Sequence, residues 1–176
     1  MLKTVLIATD GSSHASKAVE FGSDIAAKYD AEVVLVHVLL RDHLSDALRH
    51  MVEVEYRAED SQTPVSDIIA ASPYGRFPLT HMIPKKTTDP NSALQAIADI
   101  VLSEAEVIAK KRGVGKVTSR VEDGHVAARI LDVAEEVNAD VIVTGARGLS
   151  DLKSLMTGSV SHRLANSAPM TCIAVR

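Results

Sequence analysis

Three glycines near the end of the chain carry the clearest chemical signal in the sequence: Gly145-x2-Gly148-x9-Gly158, with Ser159 directly after the last. The first two follow a short apolar run, Asp140-Val141-Ile142-Val143-Thr144, and the last pair opens a segment with helical spacing, Ser159 to Ser167. A glycine turn after a strand can curl its main-chain N–H groups into a concave nest. The first N–H groups of a helix have no acceptor within the helix and carry the positive end of its dipole. Together they can hold a polyphosphate, and a side chain at a glycine position would stand in its way. Ser159 and Ser161 add hydroxyl donors beside them, and Arg147 adds a guanidinium. Neither GxxxxGK[ST] nor GxGxxG occurs in the sequence, so neither a P-loop nor a dinucleotide fold accounts for the pattern. A second loop, Asp10-Gly11-Ser12-Ser13, also follows an apolar run. Ligands of open α/β sheets bind outside the carboxyl ends of the strands, so these two loops are expected to face each other.

The elements that must position the loops are legible from periodicity. Lys3 to Thr9 reads as a buried strand, and the serines after Asp10 supply helix-cap chemistry. Ala15, Ala18, Val19, Gly22, Ile25 and Ala26 line one helical face up to Tyr29-Asp30, with Gly22 permitting close approach to a sheet. Glu32 to Leu40 is apolar on both pleat faces, as in a parallel sheet covered on both sides. Between about 41 and 92 the pattern degrades, and five of the six prolines fall there. This stretch reads as an insertion, with helical stripes over His43 to Glu59 and Val65 to Ala71. Asn91-Ser92 then caps a helix whose stripe runs Leu94, Ile97, Ala98, Val101, Ala105, Ile108 and which Gly113 ends. Lys116 to Glu122 alternates as a strand, Val126 to Val137 has a helical face, and Thr171 to Val175 closes the chain as a last strand. Strands alternating with helices give an α/β parallel sheet, because each parallel connection needs a crossover.

Composition narrows the function classes. Nineteen basic against twenty-three acidic residues, net −4, is the wrong sign for a nucleic-acid backbone or an anionic membrane surface. With 3% aromatic residues and no Trp, there is little on which single-stranded bases can stack. A single cysteine, Cys172, cannot close an internal disulfide, and no Cys/His group has zinc-site spacing. The N-terminal apolar run is too short for a signal-peptide core, and no stretch of about 18 apolar residues occurs. The expectation is one soluble cytoplasmic domain, with neither nucleic acid nor membrane insertion among its partners.

Through VLIATDGSSHASKAVEFG, VEDGHVAARILDVAEEVNADVIVTGARG and TGSVSHRLANSAPMTCIAV, the sequence resembles the universal stress protein family in its ATP-binding branch. The match covers roughly residues 1 to 40 and 93 to 176, and the family's G-x2-G-x9-G-(S/T) motif is complete. The resemblance implies an adenine nucleotide alpha hydrolase-like fold, an open five-stranded parallel sheet ordered 3-2-1-4-5 with helices on both faces. It further implies ATP, or ADP or AMP, lying across the ends of strands one and four. Thr9, Asp10 and Gly11 would then lie near adenine or ribose, and Val38 would offer main-chain contacts to the base. Gly124 matches the family's glycine after strand three. Gly145, Ala146, Arg147, Gly148, Gly158, Ser159, Val160 and Ser161 would line ribose and phosphates, with Mg²⁺ held by phosphates and water. The resemblance also implies a homodimer through Thr171 to Val175. Two departures stand out: the long, proline-rich 41–92 stretch, and Ala168-Pro169-Met170-Thr171-Cys172 in place of the frequent Cys-Pro-Val spacing.

Ser12, Ser13 and His14 lack a GxSxG elbow, and capping explains the serines. Asp10 has two roles open to it, helix cap and ligand group. A phospho-acceptor role for it needs a second acid beside it and an aspartate ending strand three; Thr9 and Glu122 do not meet these needs. His37, on a buried strand, reads as a satisfied core residue, and Cys172 as an inert buried thiol. Three functions remain: a nucleotide-dependent sensor, a slow ATPase or self-phosphorylating phosphotransferase, and a nucleotide-independent dimeric adaptor whose insertion recognises another protein.

Overall fold

The computed structural model describes residues 2–39, 90–148 and 158–176. Five strands form one parallel sheet: β1 (Thr4–Ala8), β2 (Glu32–Leu39), β3 (Val117–Asp123), β4 (Val141–Gly145) and β5 (Thr171–Val175). Their order across the sheet is β3-β2-β1-β4-β5, as the resemblance implies. Four described helices cover it: α1 (Ser13–Tyr29), α2 (Pro90–Lys111), α3 (Val126–Glu136) and α4 (Ser159–Ser167).

Both faces of the central strands are buried, which is why β1, β2 and β4 read as unbroken apolar runs. On one face Val5, Ile7, Val33, Leu35, Val141 and Val143 pack against Ala18, Val19 and Ala26 of α1 and Leu102, Ala105 and Ala109 of α2. On the other, Leu6, Val34, Val36 and Ile142 meet Ile130, Val133 and Ala134 of α3 and Leu164 of α4. Each fully buried aliphatic side chain of this kind contributes about 1.5–3 kcal/mol. A Cβ built on Gly22 would lie 2.7 Å from Cδ1 of Ile7, so the expected close approach of α1 to β1 is present.

Several expectations are corrected at the edges. The helix expected to be capped by Asn91-Ser92 already contains them: α2 begins at Pro90. Proline suits a first helical position because its missing N–H would have no intrahelical acceptor there. The helical stripes expected at His43–Glu59 and Val65–Ala71 lie outside the described residues, as does Leu40 at the expected end of the second strand. β5 and Cys172 are not buried; the strand pairs with β4 at the sheet edge, and Cys172 is half-buried. Among the described residues, no helix is long and apolar enough to cross a membrane.

Candidate functional site

The turn after β1 is fixed by its own polar side chains. Thr9 N–H donates to Val36 O at 2.9 Å, the last main-chain rung joining this end of β1 to β2. Gly11 N–H then donates to Thr9 Oγ1 at 3.3 Å, and Ser12 N–H to Asp10 Oδ1 at 3.0 Å. Ser12 is the N-cap of α1, its Oγ accepting from Ala15 N–H at 3.2 Å. The cap role considered for Asp10 thus falls to Ser12, while Asp10 braces the turn through one oxygen. Its other oxygen points across the sheet end: a Cβ built on Gly148 would lie 2.6 Å from Asp10 Oδ2. The two loops do face each other, and Gly148 is where they touch.

Gly145 is glycine for a different reason. A Cβ there would lie 2.9 Å from Arg147 O and 3.0 Å from both Ala15 N and His14 C. The end of β4 is therefore pressed against the first turn of α1, backbone on backbone. Ala146 follows as a buried junction: its N–H donates to Val175 O at 2.6 Å and its carbonyl accepts from Gly158 N–H at 2.7 Å. The Ser161 hydroxyl also donates toward Ala146 O, at 3.1 Å, and lies 3.0 Å from Gly158 O. That hydroxyl is buried against the protein's own carbonyls.

At the N-terminus of α4 the cap residue, Gly158, makes no side-chain cap hydrogen bond. The first intrahelical bond runs from His162 N–H to Gly158 O at 3.0 Å, so the N–H groups of Ser159, Val160 and Ser161 precede the helical ladder. Aligned peptide dipoles make this end attractive to an anion. Arg147 and Gly148 are half-buried beside the cleft, and the Ser159 side chain is exposed.

The remaining expected residues divide. Val38 is buried on β2, two residues beyond the Ala8↔Val36 pair at which the β1–β2 register ends. In a strand, N–H and C=O of one residue point to the same side; since Val36 O receives Thr9 N–H, the Val38 amide and carbonyl also turn toward β1, beyond its last rung. Gly124 lies at the same end of the sheet but past β3, with β2 between it and β1, and the Arg129 side chain is what stands near it. The structure does not bring Gly124 together with the others. His37 is gathered in instead: its Nδ1 lies 2.9 Å from Thr9 O, and burial pushes its pKa below the ordinary value. The core reading of His37 stands, and the signal for its position was a single imidazole inside EVVLVHVLL, one residue before Val38.

Among the described residues, no group of three or more His, Cys, Asp and Glu side chains is arranged to hold a metal ion. The turn after β1, the glycine turn after β4 and the N-terminus of α4 thus lie together at the carboxyl ends of β1 and β4.

The model of the universal stress protein family matches residues 1–176, the whole chain. The chain belongs to the universal stress protein family. A curated family relative from Bacillus subtilis strain 168 is 25% identical over 176 residues, covering 100% of both chains. Among solved structures, a universal stress protein in complex with cAMP superposes with a TM-score of 0.61 at 21% identity, over 99% of this chain and 97% of that one. The universal stress protein from Archaeoglobus fulgidus in complex with dAMP gives 0.58 at 20% identity, over 100% of this chain and 98% of the other. These likenesses show the universal stress protein fold.

Proposed function

We propose that this universal stress protein binds an adenine nucleotide, ATP with Mg²⁺ foremost, across the ends of β1 and β4, and acts in the cytoplasm as a nucleotide-dependent regulator. The observation that carries the reading is the meeting of Asp10 and Gly148 on the same side of the sheet as the N-terminus of α4, whose cap Gly158 makes no side-chain cap hydrogen bond. In this reading the phosphates lie on the Gly148 turn and the main-chain N–H groups of Ser159, Val160 and Ser161, with Arg147 adjoining. Asp10, an acceptor, takes ribose hydroxyls, or a cation carried in by the phosphates. Val38 offers a donor and an acceptor side by side, which match N1 and the N6 amino group of adenine; guanine presents O6 and N1–H in the reverse sense. The cAMP and dAMP carried by two similarly folded proteins support the adenine class.

Regulation requires that the nucleotide favour one of two states, since equal affinity shifts no population. We place a second copy of the chain at β5, whose Cys172, Ile173 and Val175 remain half-exposed at the sheet edge. Dimer contacts there lie one strand from the nucleotide, next to the Ala146–Val175 hydrogen bond.

The test begins with mass-spectrometric identification of any nucleotide released when the purified protein is denatured, then calorimetry of the emptied protein with ATP, ADP and AMP in the presence of magnesium. Adenylate binding is expected, and incubating bound ATP for hours tells a sensor from a slow hydrolase. Absence of heat with every adenylate overturns the reading.

A further inference from the structure

His37 sits among the aliphatic residues of β2, 6% exposed, with Nδ1 2.9 Å from the carbonyl oxygen of Thr9. A carbonyl oxygen only accepts, so Nδ1 carries the hydrogen, and the ring is assigned as the neutral Nδ1–H tautomer. The position of this bond in the ladder gives it meaning. At the other end of the pair, Glu32 N–H donates to Lys3 O, and the register then runs without a break to Ala8↔Val36. One further rung in the same series would run from Val38 N–H to Thr9 O. The imidazole takes that acceptor, and the chain leaves the sheet through the Asp10-Gly11 turn.

We propose that His37 is a positioning residue for base recognition: by holding Thr9 O through Nδ1–H, it ends the β1–β2 ladder one rung early and keeps the Val38 main chain free for the base. Preference for adenine over guanine then depends on a side chain that does not touch the base. The chemistry follows from replacement of one donor by another. With Nδ1–H in place, Thr9 O is satisfied in a buried setting, and closure of the gap by Val38 N–H gains nothing. Without it, Thr9 O is left buried and short of a donor, a loss that closure of the ladder would recover. Closure removes the N–H that adenine N1 needs. This inference rests on the adenine-nucleotide reading above.

The experiment compares wild type, His37→Asn and His37→Leu by calorimetric titration with MgATP and MgGTP, with circular dichroism melting of each protein. The asparagine amide N–H reaches about where Nδ1–H stands; leucine has no donor. Wild type and His37→Asn are expected to prefer ATP. His37→Leu is expected to lose about tenfold in ATP affinity, with GTP affected less, so that the preference narrows. Should the leucine variant fail to fold, ¹⁵N NMR of the wild-type imidazole carries the test. The Nδ1–H tautomer is expected, with the Nδ1 signal shifting on addition of ATP but not of inorganic tripolyphosphate, which has no base. An Nε2–H tautomer, a signal indifferent to ATP, or a folded His37→Leu with the wild-type ATP-to-GTP preference overturns the role of His37. If wild type binds neither nucleotide, the adenine reading itself fails.

Discussion

A Cβ at Gly148 meets a carboxylate on a turn, whereas one at Gly145 meets main chain on two sides, and the two glycines should fail differently. In Gly148→Val the Asp10 side chain is displaced within a half-buried loop and the branched side chain enters the cleft. Calorimetry is expected to find adenylate binding reduced by at least about a hundredfold, roughly 2.7 kcal/mol, with the melting temperature little changed. Gly145→Val must push the end of β4 away from α1, and overpacking of this kind costs about 1–3 kcal/mol in urea unfolding. A Gly148→Val protein with wild-type affinity removes that loop from the site. Protonation separates two other residues. Burial holds the His37 pKa below 6.5, so just below that pH the unfolded chain binds a proton that the folded chain refuses, and stability falls as pH drops from about 6.5. The N–H groups of Lys3 and Thr4 hold the Asp140 pKa below 3.8; its contribution is complete above that value and is lost as pH falls through the lower folded one. His37→Asn should therefore flatten the urea midpoint between pH 7 and 5, and Asp140→Asn should flatten it only below about pH 4. Equal slopes for wild type and His37→Asn in the upper window contradict the account.

At the scale of elements, the termini of α1 and α4 use serine in two ways that a sequence does not separate. Ser12 caps α1, and Ser12→Ala is expected to cost about 1 kcal/mol. Ser161 donates inward to Ala146 O and lies near Gly158 O, carbonyls that also receive Gly158 and His162 N–H. Ser161→Ala should therefore cost only about 0.5–1.5 kcal/mol of stability, and leave adenylate affinity within about threefold, some 0.7 kcal/mol. A collapse of affinity without loss of stability would put the hydroxyl on the ligand. What was legible here follows from punctuation and period. Ser159–Ser167 and Thr171–Val175 match their expected bounds end to end, because Gly158 opens the helix and Ala168-Pro169-Met170 closes it. The Asp10–Gly148 encounter was legible as two loops after buried strands. The inward turn of Ser161 and the reach of His37 to Thr9 were not, because contacts between side chain and backbone across a fold leave no periodic trace. The exposure of β5 was hidden for a similar reason: an apolar strand reads alike at a sheet's centre and at its edge. In β3 the alternation was visible but its meaning was not. Arg120 and Glu122 face α3 and join Arg129, Asp132 and Glu136 in a chain of ion pairs at an edge where, among the described residues, β2 is the one paired strand.

For the whole molecule, the carboxyl ends of β1 and β4 bring together parts of the chain that are far apart in sequence: the start of α1, the end of β4 and the start of α4, with β5 tied in through Ala146 and Val175. A ligand bridging these parts binds the folded chain and finds no site on the unfolded one, where Asp10 and Gly148 have no reason to meet. Linkage then stabilises the fold by RT ln(1 + [L]/Kd), about 2.7 kcal/mol at a hundredfold excess over Kd. For a domain of this size each kcal/mol moves the melting temperature by about 2–4 °C, so saturating MgATP should raise it by roughly 5–10 °C. Inorganic tripolyphosphate, which has no base, should raise it less at the same concentration. Gly148→Val should show neither shift, since its altered loop keeps ligand from linking β1 to β4. An equal rise with ATP and tripolyphosphate would mean that the base end adds nothing to binding, and would confine recognition to the Gly148 turn and the N-terminus of α4.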